Sequence, residues 1–280
     1  MNPFRWLIRR VDLSRRTSHR GLKGWMFLIF LFLYAPVAIV VILSFTPREV
    51  PSFPLTGFSL KWYAVLIPPE QDEALVDAFF TSLKIAVISA IGAGIMGTAA
   101  AMGLVRHKFD KRWVSSDLLN TVFITPIVVP WIVTGIAVLV LYSTIGIQGS
   151  FFSVVIGHVL IALPFVILVV SSSLYGFDRS LEEAAKNLGA NNLRAFYEIT
   201  LPLIAPGIIA GMMFAFTISF DNFTQTFFWA GSNTQTLPLV IYGKIRFGID
   251  PSVNSIGTVI VVFSLAMAIA AEKLSSRIIS

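Results

Sequence analysis

Glu183-Ala184-Ala185, three residues, Gly189, nine residues and then Ile199-Thr200-Leu201-Pro202 form a short polar island between long apolar segments. The chain around it is 56% hydrophobic, only 13% of its 280 residues are charged, and its mean hydropathy is +0.80. A soluble domain carries about 25% charged residues, so lipid and not water is the main solvent of this chain. An ordered polar loop in such a chain needs a partner surface.

Outward from the island, six apolar segments are readable, near 25–45, 78–105, 118–141, 151–173, 203–229 and 253–271. Each is long enough to cross a bilayer as a helix, for which about 20 residues suffice, and a helix closes its own backbone hydrogen bonds in lipid. The expected fold is therefore all-α, a polytopic membrane protein with six transmembrane helices. A basic cytoplasmic arm over 1–24 would precede a six-helix domain over 25–280, with the polar loop at 174–202. Arg5, Arg9, Arg10, Arg15, Arg16, Arg20 and Lys23 lead into the first apolar run, Trp25 to Phe45. That run is longer than a secretory signal core and no small-x-small cleavage site follows, so an uncleaved first helix is expected. Ser14-Arg15-Arg16 hints at a twin-arginine signal, but the apolar residues expected just after it are missing.

Orientation follows from Lys and Arg. The arm, the second loop (Arg106, Lys108, Lys111, Arg112), the fourth loop (Arg179, Lys186, Arg194) and the tail (Lys273, Arg277) are basic. The first loop holds Arg48 and Lys61 among the acids Glu49, Glu70, Asp72, Glu73 and Asp77; the third has no basic residue and the fifth has Lys244 and Arg246. The positive-inside rule then puts both termini and the polar island in the cytoplasm. The net charge of +6 is thus a matter of topology and does not point to nucleic acid.

Within the island, Ser180 and Glu183 have the spacing of a capping box, and the acids Asp178, Glu182 and Glu183 suit the positive end of a helix dipole. Ala184 and Ala185 keep that helix thin. Gly189 permits the left-handed backbone that ends a helix. A second short helix would run through Leu193, Phe196 and Tyr197, with Pro202 at the start of the next membrane segment.

Several chemistries are excluded. There is no cysteine, hence no disulfide, thiolate metal site or cysteine nucleophile. Gly92-Ala93-Gly94-Ile95-Met96-Gly97 formally matches G-x-G-x-x-G, but it lies inside an apolar helix and lacks the strand-turn-helix context; these glycines read as small residues that let helices approach. Gly243-Lys244 is followed by Ile245, so it is no Walker A motif. No paired carboxylates, Ser-His-Asp set or metal cluster is readable, and neither catalytic residues nor a cofactor are expected.

The fifth segment carries Ser219-Phe220-Asp221-Asn222-Phe223-Thr224-Gln225-Thr226. Read as one helix, it puts Asp221, Asn222, Gln225 and Thr226 on one arc, with Phe220, Phe223 and Phe227 opposite. An acid within a span costs roughly 2.5–3.5 kcal/mol on insertion scales, so it faces a protein interior or an aqueous path. Asp221, Asn222, Gln225, Phe228 and Trp229 are the candidate substrate path. His158 reads as an interhelical hydrogen bond, and Pro126, Pro130 and Pro164 as kinks or breaks.

The spacing of the island resembles the EAA loop of bacterial type I ABC importer permeases. The stretch from Asp221 through Gly231, Leu237-Pro238, Ile241-Tyr242, Phe247-Gly248, Pro251 and Asn254 resembles the spermidine/putrescine permease group, second permease subunit. The likeness covers most of the chain and is densest from Glu183 to Thr258. Many members of that group carry two adjacent acids where this chain has Asp221-Asn222. The resemblance implies a non-enzymatic permease subunit in the bacterial inner membrane. It would work with a second homologous permease, two ATP-hydrolysing subunits and an extracytoplasmic binding protein. Glu183, Ala184, Ala185 and Gly189 would couple to the ATPase. The substrate would be a small solute, a polyamine in the first place, with a cation–π contact from Trp229 or Phe228; related permeases carry thiamine, iron, opines, aminobutyrate or phosphonates. The alternative class is an ion-gradient-driven secondary transporter, which usually has inverted repeats or more intramembrane acids.

Overall fold

The computed structural model describes residues 4–50, 54–67, 72–107, 110–111, 114–247 and 251–279. Lys108, Arg112 and Glu70, used above for orientation, lie outside the described residues, as does Gly248. The apolar runs form helices, and the described strands are a two-residue antiparallel ladder, β1 (Asp110–Lys111) with β2 (Val114–Ser115). The chain divides into two compact units, Met1–Gln71 with Gly248–Ala268, and Asp72–Phe247 with Ile269–Ser280.

In the first unit, helix α1 (Phe4–Leu43) runs without a break through the basic arm and the first apolar run. None of its apolar window, Leu22–Leu43, is buried by protein, which suits a helix surrounded by lipid. The chain beyond it folds back on hydrogen bonds. Ser44 Oγ lies 2.6 Å from Tyr63 Oη, and Trp62 Nε1 donates to Thr46 O at 2.7 Å across the short helix α2 (Lys61–Ala64). Ser255 near the start of the last helix (Ser252–Ile279) donates to Trp62 O at 2.8 Å.

The second unit is built on three long helices, α3 (Glu73–Arg106), α6 (Phe151–Tyr175) and α9 (Leu201–Phe220), with α4 (Ser116–Val128) and α5 (Trp131–Ile145) between the first two. Their shared core holds Ala90, Ala93, Val166, Val170, Ile204 and Ala215. Small residues set the spacing. A Cβ on Gly97 would lie 2.6 Å from Val166 Cγ1, and one on Gly94 would lie 2.6 Å from Met212 Cγ. The glycines of the apparent nucleotide motif are therefore a seam between helices, where close approach supplies dispersion contacts that lipid cannot.

Two departures from the sequence reading have backbone causes. The third apolar run is not one straight span: α4 and α5 meet at a 105° bend, where Pro130 adopts φ −54°, ψ 133° and has no N–H to continue the ladder. Pro126 and Pro164 instead lie within α4 and α6. The fifth run stops as a helix at Phe220, well before Trp229. Among the described residues, four helices are long and apolar enough to cross a membrane, the bent pair passes the same test only when taken together as one span, and the last helix contributes the shorter apolar stretch Ser252–Ala266.

Candidate functional site

The polar island folds as a helix, a tight turn and a second helix. Helix α7 (Ser180–Asn187) has Glu182 and Glu183 in its first turn and Lys186 in its last, both favoured by the helix dipole. The capping box is not formed. Arg179 is already helical, and Glu183 N bonds to Arg179 O at 3.2 Å, so Ser180 lacks the extended backbone a capping side chain needs. Asp178 takes over: its Oδ1 accepts from Ser180 N at 2.9 Å. The Ser180 amide and hydroxyl hold the Asp178 carboxyl below the usual carboxylate range.

The far end of α7 is as expected at Gly189, whose φ is +92°. Gly189 N bonds to Lys186 O at 2.9 Å and Ala190 N to Ala185 O at 3.0 Å, the bond pair of a Schellman turn. Asn191 then accepts from Arg194 N at 2.8 Å and starts α8 (Asn192–Ala195). A π-helical turn, Phe196–Thr200, joins α8 to α9 in one continuous course. Glu183 and Ala184 are exposed, Ala185 is half-buried, and Gly189 is exposed. Apolar side chains also face outward: Leu188 is 90% exposed, Leu193 66% and Tyr197 58%. These side chains give the polar loop an apolar outer surface.

Glu182, which the sequence reading treated only as a dipole acid, is the side chain that turns inward. One turn advances 100° per residue, so of two adjacent acids only one faces the bundle. The Glu182 carboxylate pairs with the Arg106 guanidinium at the end of α3 and accepts from the Thr200 hydroxyl before α9. Arg106 Nη2 also donates to Thr200 Oγ1 at 3.3 Å, and Arg179 Nη2 donates to Val105 O at 3.0 Å.

At the opposite end of this unit, α9 finishes in polar sequence. Ser219 faces His158, which lies seven residues into α6, about 10 Å from that helix's start. The break in α9 is therefore set more than a turn inside the end of its neighbour. Irregular backbone at such a depth is tolerated where it is buried in protein or lines an aqueous cavity. The 219–226 stretch is thus not one helical arc. Asp221 is the residue closing α9 and is exposed. Asn222 and Gln225 are buried and satisfy each other and the chain: Asn222 Nδ2 donates to Gln225 Oε1 at 2.8 Å, and Asn222 Oδ1 accepts from the amides of Gln225 and Thr226, both at 3.2 Å. His158 bridges Ser219 Oγ at 2.6 Å and Thr226 Oγ1 at 2.8 Å, the interhelical role read from the sequence.

The short helix α10 (Thr226–Trp229) turns Thr226 and Trp229 inward. Trp229 is fully buried, its Nε1 donates to Gly135 O at 2.9 Å, and its ring lies on Gly157. No face of Trp229 is open to a cation, which corrects the expected cation–π role. Phe228 is half-buried against Gly135. The open aromatics are instead Phe227 and Tyr242, both packed on Phe223, with ring centroids 5.8 and 4.8 Å from it. Tyr242 belongs to α11 (Leu237–Phe247), which is tied to α3 by Lys244 Nζ on Asp72 Oδ2 at 2.6 Å and by Leu237 N on Ser82 Oγ at 2.8 Å. Between the start of α3 and the 232–235 loop lies a cavity of about 410 Å³, with Asp77, Thr81, Lys84, Asn233 and Gln235 in its wall. Lys84 was missed in the sequence, although one lysine inside the apolar run 78–105 is itself a signal.

The family profile described as binding-protein-dependent transport system inner membrane component matches residues 95–280. The chain is 36% identical over 249 residues to the spermidine/putrescine transport system permease protein PotC of Escherichia coli (strain K12), covering 89% of this chain and 91% of that protein. It is 36% identical over 237 residues to the putrescine transport system permease protein PotI of the same strain, covering 82% of each. Among solved structures, a bacterial ABC transporter involved in the import of the acidic polysaccharide alginate matches with a TM-score of 0.69 at 15% identity, over 94% of this chain and 97% of that one. The MetNI methionine ABC transporter in inward-facing conformations matches with a TM-score of 0.63 at 14% identity, over 76% and 99%. These two likenesses concern the fold. Sequence and fold agree with the spaced polar loop and the apolar spans, and the chain belongs to the family of inner membrane components of binding-protein-dependent transport systems.

Proposed function

We propose that the chain is one permease subunit of an ATP-driven importer of polyamines such as spermidine and putrescine. The observation that carries this reading is the 36% identity to PotC over nearly the whole length of both chains. A second, homologous permease completes the path, two ATP-hydrolysing subunits bind the cytoplasmic loops, and an extracytoplasmic binding protein delivers the substrate. Both termini and the 174–202 loop face the cytoplasm, in line with the arginine pattern.

The loop receives the ATPase through the exposed face of α7 and its turn, where Glu183, Ala184, Gly189 and the protruding Leu188 lie. Asp221, exposed at the break of α9, meets the substrate's ammonium groups. Phe227 and Tyr242, with ring area open, supply cation–π contact of about 0.5–2 kcal/mol. Asn222, Gln225 and Trp229 act one step back, by holding the break in shape. Phe228 borders it.

The test is spermidine uptake by the complete transporter in proteoliposomes. Asp221→Asn lowers uptake at limiting spermidine by about tenfold, the effect of roughly 1.4 kcal/mol lost from a charge contact, and lowers ligand-stimulated ATP hydrolysis with it. Wild-type uptake and stimulation by Asp221→Asn would remove Asp221 from the path. A wild-type complex that binds no ATPase would overturn the importer reading.

A further inference from the structure

Three elements meet at one carboxylate on the cytoplasmic side of the second unit. Glu182 comes from α7, Arg106 from the last residue of α3, and Thr200 from the π-helical turn that leads into α9. The Glu182 side chain is 12% exposed and that of Arg106 23%, and Thr200 is fully buried. An exposed ion pair constrains little. A pair this far out of water, whose members also share a third hydrogen-bonding partner, holds its elements in one arrangement, because opening it strands charge. Arg179 adds a fourth tie, from the residue before α7 to Val105 O. Glu183, one residue along, is exposed.

We infer that the Glu182–Arg106–Thr200 cluster is the lock that makes the loop a rigid lever, with Glu182 and Arg106 as positioning residues for transport. This rests on the importer reading and adds a division of labour: the outward face around Glu183 takes hold of the ATPase, and the inward face through Glu182 passes the movement on. The route is continuous. Thr200 opens directly into α9, whose 20 residues carry a displacement about 30 Å to its end at Asp221. Arg106 delivers the same displacement to α3, which packs on α6 and α9 around one core. The π-helical turn before α9 is a register irregularity of the kind found at functional sites.

The experiment uses the complete transporter with its binding protein in proteoliposomes and reads radiolabelled spermidine imported per ATP hydrolysed. Glu182→Gln and Arg106→Gln retain the ATPase subunits on purification, and import per ATP falls about fivefold or more, the size of a lost coupling between sites. The charge exchange Glu182→Arg with Arg106→Glu recovers part of that ratio, which a merely structural role would not produce. Wild-type import per ATP in both single variants would overturn the inference and leave the importer reading standing. Loss of the ATPase from Glu182→Gln complexes would also overturn it, by putting Glu182 in the docking face. A variant that does not assemble is replaced by Glu182→Cys with Arg106→Cys, joined by a short bifunctional thiol reagent. The chain has no cysteine of its own, so within it the reagent can join only these two positions. A linked complex that still imports spermidine supports a lock closed through the cycle, and one that stops refutes it. Absence of ATP-driven uptake from the wild-type complex, in contrast, counts against the importer reading itself.

Discussion

Gly157 shows how far residue identity is set by a neighbour. Its missing side chain is the space in which Trp229 lies: a Cβ there would come within 2.3 Å of Trp229 Cζ3, on a fully buried ring held by its hydrogen bond to Gly135 O. Gly157→Ala is expected to destabilise the chain by about 1–3 kcal/mol, the range for overpacking, read as a lower unfolding midpoint in detergent. Gly94→Ala meets the flexible Met212 side chain at 2.6 Å, which can turn away, so its midpoint falls less. Equal midpoints for the two variants would refute the view that the Trp229 ring is wedged. Residue type in the sequence pointed to the polar end of α9, but not to which way each side chain turns. Asp221, Asn222 and Gln225 looked alike as path residues, yet only Asp221 is exposed. Glu182 and Glu183 were likewise inseparable by type. The arginine that closes an apolar run, set against two adjacent acids, was the available signal for the buried pair.

At the scale of elements, helix ends decide what the hydropathy pattern does not register. Phe223, Phe227, Phe228 and Trp229 continue the apolar composition past Phe220, so the fifth run reads as unbroken, whereas Asp221-Asn222 can bond locally to the backbone and stop a helix. Asn222 Oδ1 carries this local structure by accepting from two amides. Asn222→Leu should cost about 1–2 kcal/mol, the value of a lost cap, whereas Asn222→Asp keeps the acceptor and costs less; thermal unfolding of the two variants checks the order. The turn after α7 was legible because its requirement is simple, a left-handed residue met by Gly189 at φ +92°. Gly189→Val is expected to lose about 1–2 kcal/mol of local backbone stability and to weaken retention of the ATPase, with Gly189→Asn milder in both. Equal retention by Gly189→Val would mean that the turn does not shape the docking face. The capping box failed for a reason the spacing does not contain: the helix starts with Arg179 already helical.

For the whole molecule, composition gave the solvent and the helical class, because a chain of this apolarity has few ways to satisfy its backbone in lipid. The number of apolar runs came through as well, while the 105° bend between α4 and α5 depends on the conformation of one proline, to which a count of apolar residues is blind. Family membership joins these levels: a polar loop with exposed leucines at one end of the second unit, proposed as the ATPase docking face, and an exposed carboxylate at a helix break at the other. The claim that most needs testing is that force enters through the loop. A photoreactive amino acid at Leu188, 90% exposed, in the assembled transporter measures this directly, with Asn233 on the opposite end of the unit as the control. An adduct is expected between position 188 and the ATP-hydrolysing subunit, and none from position 233. No ATPase adduct from 188, or one from 233, would contradict it.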